Sequence, residues 1–257
     1  MKNRHIVSFC DLIMQSQPEF LKNKIILITG GAKGLGRHLS INLAKQGAVV
    51  ATHYNTSQKE AGTLLRSLKK YSPSSDIFQA DLRSPGQTEQ MFLSVLDRYG
   101  RIDVLINNVG NFIYKPFEKV SFEDFRDVTE TNLYATFLCS KIAAKKMKKQ
   151  KNGDIINFGC AGADRMIIRE LTTPYYIAKS GVIQLTKIFA SAYARYGVRI
   201  NAISPGILKT SVAKLSNLPT GQYSSFDDIL NALLFLLSPQ SSYINGANIE
   251  VAGGWNP

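Results

Sequence analysis

Tyr175 and Lys179 stand four residues apart, so on a helix their side chains share one face. A free tyrosine, with a pKa near about 10, exchanges protons poorly at neutral pH. An ammonium beside it favours the phenolate and draws that pKa toward a useful range. Tyr-x-x-x-Lys is common by chance, so it gains meaning only if other elements converge on it. A second chemical signal is the run Thr29-Gly30-Gly31-Ala32-Lys33-Gly34-Leu35-Gly36. Glycines let the backbone approach a ligand, and a helix starting there offers free N–H groups to an anion. The spacing Gly-x-x-x-Gly-x-Gly differs from the commonest dinucleotide fingerprint, Gly-x-Gly-x-x-Gly.

These residues need elements to hold them. The β-branched run 25–28 reads as a strand buried on both faces, and Leu35, Leu39, Leu43 and Ala44 recur at helical spacing after the turn. Residues 48–51 form a second strand that ends at Thr52-His53-Tyr54-Asn55. An acidic residue there would hold ribose hydroxyls and favour NAD, but the first carboxylate after the turn is Glu60. Lys33, Arg37 and His53 instead suit a 2′-phosphate, which points to NADP(H). Strands at 77–80, 104–106, 154–158, 198–203 and 248–251 alternate with helices at 58–71, from 85 to 99, over most of 121–149, from Pro174 onward and at 227–237. This pattern predicts an α/β fold, a Rossmann-type doubly wound parallel sheet of about seven strands with helices on both faces. Ligands in such sheets bind beyond the carboxyl ends of the strands, where Thr29, His53, Asp81 and Asn107 all fall.

Composition sets the frame. At 257 residues, 44% hydrophobic and 19% charged, the chain is long for one core but fits a single α/β domain. Residues 1–20 read as an N-terminal extension and 21–257 as the domain; the apolar part of the extension is short and lacks a cleavage site, which argues against a signal peptide. No apolar run is long enough to span a bilayer. Cys10, Cys139 and Cys160 have no metal-like spacing and fit free thiols in a reducing, cytoplasmic setting. The net charge of +12 raises the question of an acidic partner. Much of it lies in Lys141, Lys145, Lys146, Lys148, Lys149 and Lys151, which read either as a solvated helix end or as a docking patch for an acidic carrier protein. No aromatics interleave these lysines, so nucleic acid is disfavoured.

Taken in order, the motifs resemble those of the short-chain dehydrogenase/reductase superfamily in its single-domain form. Its Thr-Gly-x-x-x-Gly-x-Gly turn matches Thr29 to Gly36, and its Asn-Asn-Ala-Gly appears as Asn107-Asn108-Val109-Gly110. Tyr-x-x-x-Lys matches Tyr175 to Lys179, and the Pro-Gly after the sheet matches Pro205-Gly206, with Thr210 where the family contacts the carboxamide. The resemblance implies hydride transfer between a nicotinamide cofactor and a carbonyl or alcohol. Tyr175 would protonate the carbonyl oxygen, Lys179 would bind the nicotinamide ribose and depress the tyrosine pKa, and Asn132 would hold a water in a proton relay. Gly30, Lys33, Gly34, Leu35 and Gly36 would cradle the cofactor. Asp81, with Leu82 beside it, would take its adenine end, and Asn108 and Gly110 would line its cleft. The resemblance also implies a homotetramer built on the helices of Asn132 and Tyr175, which the apolar Ile183, Ile188, Phe189 and Ala192 permit.

Two departures stand out. The family places a serine thirteen residues before the tyrosine, and here that count lands on Gly162, whereas aligning the strand end lands on Cys160. Either Cys160 takes the substrate-binding role, or Asp164 or another pocket residue does, or catalysis is impaired; a thiol is a weaker donor than a hydroxyl. The segment between Gly206 and Pro219 is also short, which implies a more open site, or one completed by the substrate or a neighbouring subunit. The chain is most similar to 3-oxoacyl-carrier-protein reductases in its Ile244-Asn245-Gly246 and Val251 to Gly254 stretches. Alternatives are a pteridine reductase, from His53-Tyr54, Ser57 and Lys33, and a non-catalytic NADP-binding protein, from the missing serine.

Overall fold

The computed structural model describes residues 19–212 and 217–255. Strands β1 (Ile25–Ile28), β2 (Val49–Tyr54), β3 (Asp76–Gln79), β4 (Val104–Asn107), β5 (Gly153–Phe158), β6 (Val198–Pro205) and β7 (Asn248–Val251) form one sheet. Its order is β3-β2-β1-β4-β5-β6-β7, and every neighbouring pair is parallel. Parallel neighbours need long crossovers. Helices α1 (Gly34–Lys45), α2 (Gln58–Lys69), α3 (Pro85–Tyr99), α4 (Phe122–Thr129), α5 (Ala135–Gln150), α6 (Thr173–Tyr193) and α7 (Phe226–Leu237) supply them. The doubly wound sheet expected from the alternation is therefore present.

Period-two geometry divides β1 between two cores. Ile26 and Ile28 pack with Leu39 and Leu43 of α1 and Leu233 and Leu236 of α7. Leu27 faces the other way, onto Phe92 and Val95 of α3 and Ala143 and Met147 of α5. The chain order reverses between β1 and β4, so the loops leaving these two strands diverge and leave a crevice at their carboxyl ends.

The segment 121–149 is mostly helical, as expected, with α4 and α5 joined by a π-helical turn, Glu130–Tyr134, that contains Asn132. Of the four apolar residues expected to permit subunit contact, Ile188 and Ala192 are exposed, as is Ile177, whereas Ile183 and Phe189 are buried. The lysine-rich end of α5 lies at the amino edge of the sheet, because α5 feeds β5. Sixteen residues of helix place it about 24 Å from the Asn132 end. Lys148 there stacks on the Tyr196 ring at 4.1 Å. A carrier protein docked on those lysines would sit at the wrong end of the strands to deliver a substrate to the crevice.

Candidate active site

Beyond the carboxyl ends of β4, β5 and β6 lies a cavity of about 630 Å³. Leu35 and Asn108 border it at the glycine turn, Tyr175 and Lys179 at its centre, and Arg169 and Trp255 at the far wall.

The turn is held from three strands. Asn108 donates its backbone N–H to Thr29 Oγ1 at 2.9 Å, and its side-chain amide to the Thr29 and Gly30 carbonyls at 3.1 and 3.0 Å. Gly31 N–H donates to the His53 carbonyl at 3.0 Å. Gly30 and Gly36 pack against each other beneath the turn. Gly34 adopts φ +52, and a Cβ there would meet nothing within 4 Å. That left-handed, open position faces outward as a phosphate cradle requires.

His53 does not serve as a cation. Its Nδ1 accepts from Gly30 N–H at 3.1 Å, and its Nε2–H donates to the Ala80 carbonyl at 2.9 Å. Only the neutral ring can do both, and burial pushes its pKa down to about 4. His53 ties β2 and the end of β3 to the turn. Of the other two expected cations, Lys33 is exposed and 3.8 Å from Glu60, while Arg37 makes no ion pair among the described residues. Asp81 lies at the predicted edge, but its carboxylate is forked by Arg83 at 2.7 to 3.1 Å, which holds it below the usual carboxylate range. Leu82 is buried, so it offers the cleft only its backbone.

Asn132 gains its place from the π turn, which widens the helix where the β4 loop comes closest. Its amide donates to the Asn111 and Val128 carbonyls at 2.8 and 2.9 Å. Its Oδ1 is buried with no hydrogen-bond partner among the described residues. A Cβ on Gly110 would lie 2.2 Å from that oxygen, so only glycine allows this approach.

Lys179 is buried and donates to the Phe158 carbonyl at 2.8 Å; burial lowers its pKa to about 8. Its ammonium lies 5.4 Å from the Tyr175 ring centroid. Phe112 meets the Tyr175 ring edge-on at 5.0 Å. The expected depression of the tyrosine pKa is not found: burial pushes the phenol well above its ordinary range, and the lysine is engaged with a carbonyl instead. Tyr176 turns away and donates to the Ala161 carbonyl at 2.8 Å.

Between the two possible serine equivalents the structure separates clearly. Cys160 lines the cavity, half-buried, with its thiol pushed up by burial. Gly162 lies off the cavity and donates its N–H to Glu250 Oε1 at 2.7 Å. Asp164 is off it too, accepting from Asn248 at 3.1 Å. Pro205, Gly206 and Thr210 border the cavity as expected, whereas residues 213–216 of the short lid lie outside the described residues.

A family model described as enoyl-(acyl carrier protein) reductase matches residues 30–256. The chain belongs to the short-chain dehydrogenase/reductase superfamily. It is similar to the 3-oxoacyl-[acyl-carrier-protein] reductase FabG of Staphylococcus epidermidis, 30% identical over 90% of this chain and 98% of that one. It is also similar to the (2S)-[(R)-hydroxy(phenyl)methyl]succinyl-CoA dehydrogenase subunit BbsD of Thauera aromatica, 31% identical over 91% of this chain and 97% of that one. Among solved structures, a short chain dehydrogenase from Bacillus anthracis superposes with a TM-score of 0.84, at 28% identity over 92% of this chain and 97% of that one. The cavity residues not foreseen include Phe112, Arg169, Leu171 and Trp255. They carry no motif; for Arg169 and Leu171 the signal was the charge and Ile/Leu content of the stretch before Pro174.

Proposed function

We propose that the chain is an NADPH-dependent reductase of a carbonyl group, acting on a 3-oxoacyl thioester. The observation that carries this reading is the convergence of Tyr175, Lys179 and Asn132 on one cavity that continues to the glycine turn. The residues there fit a nicotinamide dinucleotide. Gly34 leaves open space for a phosphate, Arg37 and Lys33 offer positive charge beside it, and no acid ends β2 to oppose a 2′-phosphate. Bound there, the cofactor would supply the hydride.

The chain's own residues supply the proton and the positioning. Tyr175 is the acid that would complete reduction; burial pushes its phenol above the ordinary range, so release of its proton depends on the cation beside it. Lys179, with a pKa of about 8, remains largely an ammonium at pH 7 and stabilises the phenolate as the proton leaves. The unpartnered Oδ1 of Asn132 is an acceptor that would hold a water of the proton relay. The thioester assignment is supported by two relatives, one named for a 3-oxoacyl carrier thioester and the other for a CoA thioester.

NADPH oxidation should be followed with acetoacetyl thioesters and, separately, with a dihydropterin. Turnover on the thioester alone is the expected result. Turnover on the pterin alone would overturn the substrate class. Tight cofactor binding with no turnover on a broad carbonyl panel would leave a binding protein rather than an enzyme.

A further inference from the structure

Arg169 stands in the irregular stretch between β5 and α6, on the cavity wall opposite the glycine turn. Its backbone is pinned, since its carbonyl accepts from Thr172 N–H at 3.1 Å and Thr173 Oγ1 at 2.9 Å. Its guanidinium is clamped between two rings, 5.5 Å from the centroid of Tyr176 and 5.4 Å from that of Trp255. Tyr176 is itself fixed by its bond to Ala161, so the clamp is built rather than incidental.

Among the described residues no carboxylate pairs with this charge. Arg165, four residues earlier, pairs with Glu250 at 3.1 Å, but Arg169 makes no ion pair among the described residues. Its Nε is buried with no hydrogen-bond partner among them. Aromatic faces balance part of the charge and the Tyr176 hydroxyl oxygen accepts one N–H, but a ring face accepts none, and Nε–H stays unpaired. A buried guanidinium N–H left unpaired is costly unless an acceptor completes it.

We infer that Arg169 forms a carboxylate subsite, so that the substrate reduced at Tyr175 carries a carboxylate at its other end. A planar carboxylate matches the guanidinium fork with two parallel hydrogen bonds. Glu170 also lines the cavity, and a single guanidinium beside that carboxylate suits one negative charge better than a phosphate dianion. Ile168, Leu171 and Phe112 give the same wall an apolar surface for the hydrocarbon in between. This inference rests on the reductase reading for the reaction, but not for the binding.

Trp255 is the chain's only tryptophan and lies against Arg169, so its fluorescence reports on this subsite directly. The full chain should be titrated with glutarate and with dimethyl glutarate, with and without saturating NADP+. A saturable change with the acid, absent with the ester and lost in Arg169→Met, is the expected result, with partial retention in Arg169→Lys. Inorganic phosphate producing the same change at lower concentration would overturn the carboxylate in favour of a phosphate. No response to any anion, or an equal response in correctly melting Arg169→Met, would overturn the subsite. In turnover, 3-oxo thioesters of N-acetylcysteamine bearing a terminal carboxylate or its methyl ester exclude the phosphates of coenzyme A. The acid should exceed the ester in kcat/KM by about 10-fold or more, and Arg169→Met should bring that ratio close to one. If no thioester turns over while the fluorescence response persists, the reductase reading fails and the subsite stands.

Discussion

Around the glycine turn, each group that shapes the cavity is tied to a neighbouring strand, with Asn108 bonded to Thr29 and Gly30 and His53 bonded to Gly30 and Ala80. The opposite wall is made by residues 159–172 and 206–212, which contain no helix or strand beyond an isolated bridge at Leu208. There the shape comes from side chains packed on one another, such as Arg169 between Tyr176 and Trp255. A cofactor that must present the same atoms each time suits the first construction. A substrate that differs between relatives suits the second, since loops change more easily than strand ends.

Tyr175 is where the two halves meet, and removing its hydroxyl should have the largest effect. Tyr175→Phe should lower kcat by about 10²–10⁴-fold while leaving the NADPH dissociation constant nearly unchanged. Tyr176→Phe should act on stability, because that hydroxyl anchors the loop at Ala161. Loss of rate in Tyr176→Phe with retention in Tyr175→Phe would place the junction on the wrong residue.

The cofactor half should also reveal itself through pH. Native His53 titrates at about 4 against an ordinary 6.5, so the unfolded chain binds the extra proton between those values. Its contribution is present above pH 6.5 and is lost as pH falls toward 4, by about 3 kcal/mol in all. His53→Asn should be less stable at pH 7 and should flatten that part of the stability curve, as read by urea midpoints from pH 7 to 4. A variant curve as steep as the parent's would mean that other groups carry the acid sensitivity.

A smaller effect separates the two cations of the turn. Charge-assisted contacts to a phosphate contribute about 1.5–3 kcal/mol, so NADPH should bind at least about tenfold tighter than NADH. Arg37→Ala should narrow that gap more than Lys33→Ala, because Lys33 already shares its ammonium with Glu60. Equal dissociation constants for the two cofactors in the parent chain would remove the NADP assignment.

The same division governs what could be read from residue order alone. Strand positions, the parallel sheet and the carboxyl-edge location of the glycine turn were legible because they depend on periodicity and local glycine geometry. The role of His53 was not, since its neutrality comes from burial and from Ala80, 27 residues away in sequence. The π turn at Asn132 was equally hidden, because a helix-forming sequence does not announce one extra residue in a turn. Arg169 and Trp255 were invisible for a third reason: 86 residues apart, they are paired only by the closing of β6 and β7 against the loop after β5. The lysines of α5 read either as a solvated helix end or as a docking patch, and residue order alone did not say which edge of the sheet they reach.

Cys160 offers the smallest effect and the closest view of the boundary between the halves. It lies two residues past the end of β5, where the framework passes into the irregular wall, and it lines the cavity with Tyr175 and Tyr176. Its thiol is pushed up by burial, so at neutral pH it is a neutral, weak donor. If it contacts the reacting oxygen, Cys160→Ser should strengthen that bond by about 0.5–1.5 kcal/mol and raise kcat a few-fold to tenfold. Cys160→Ala should then lower kcat only slightly, since little donor strength is lost. If the thiol merely fills space, serine introduces a hydroxyl that needs a partner, the melting temperature falls and the rate stays where it was. Measuring rate and melting temperature on both variants therefore decides whether the framework half ends before Cys160 or extends through it to the substrate.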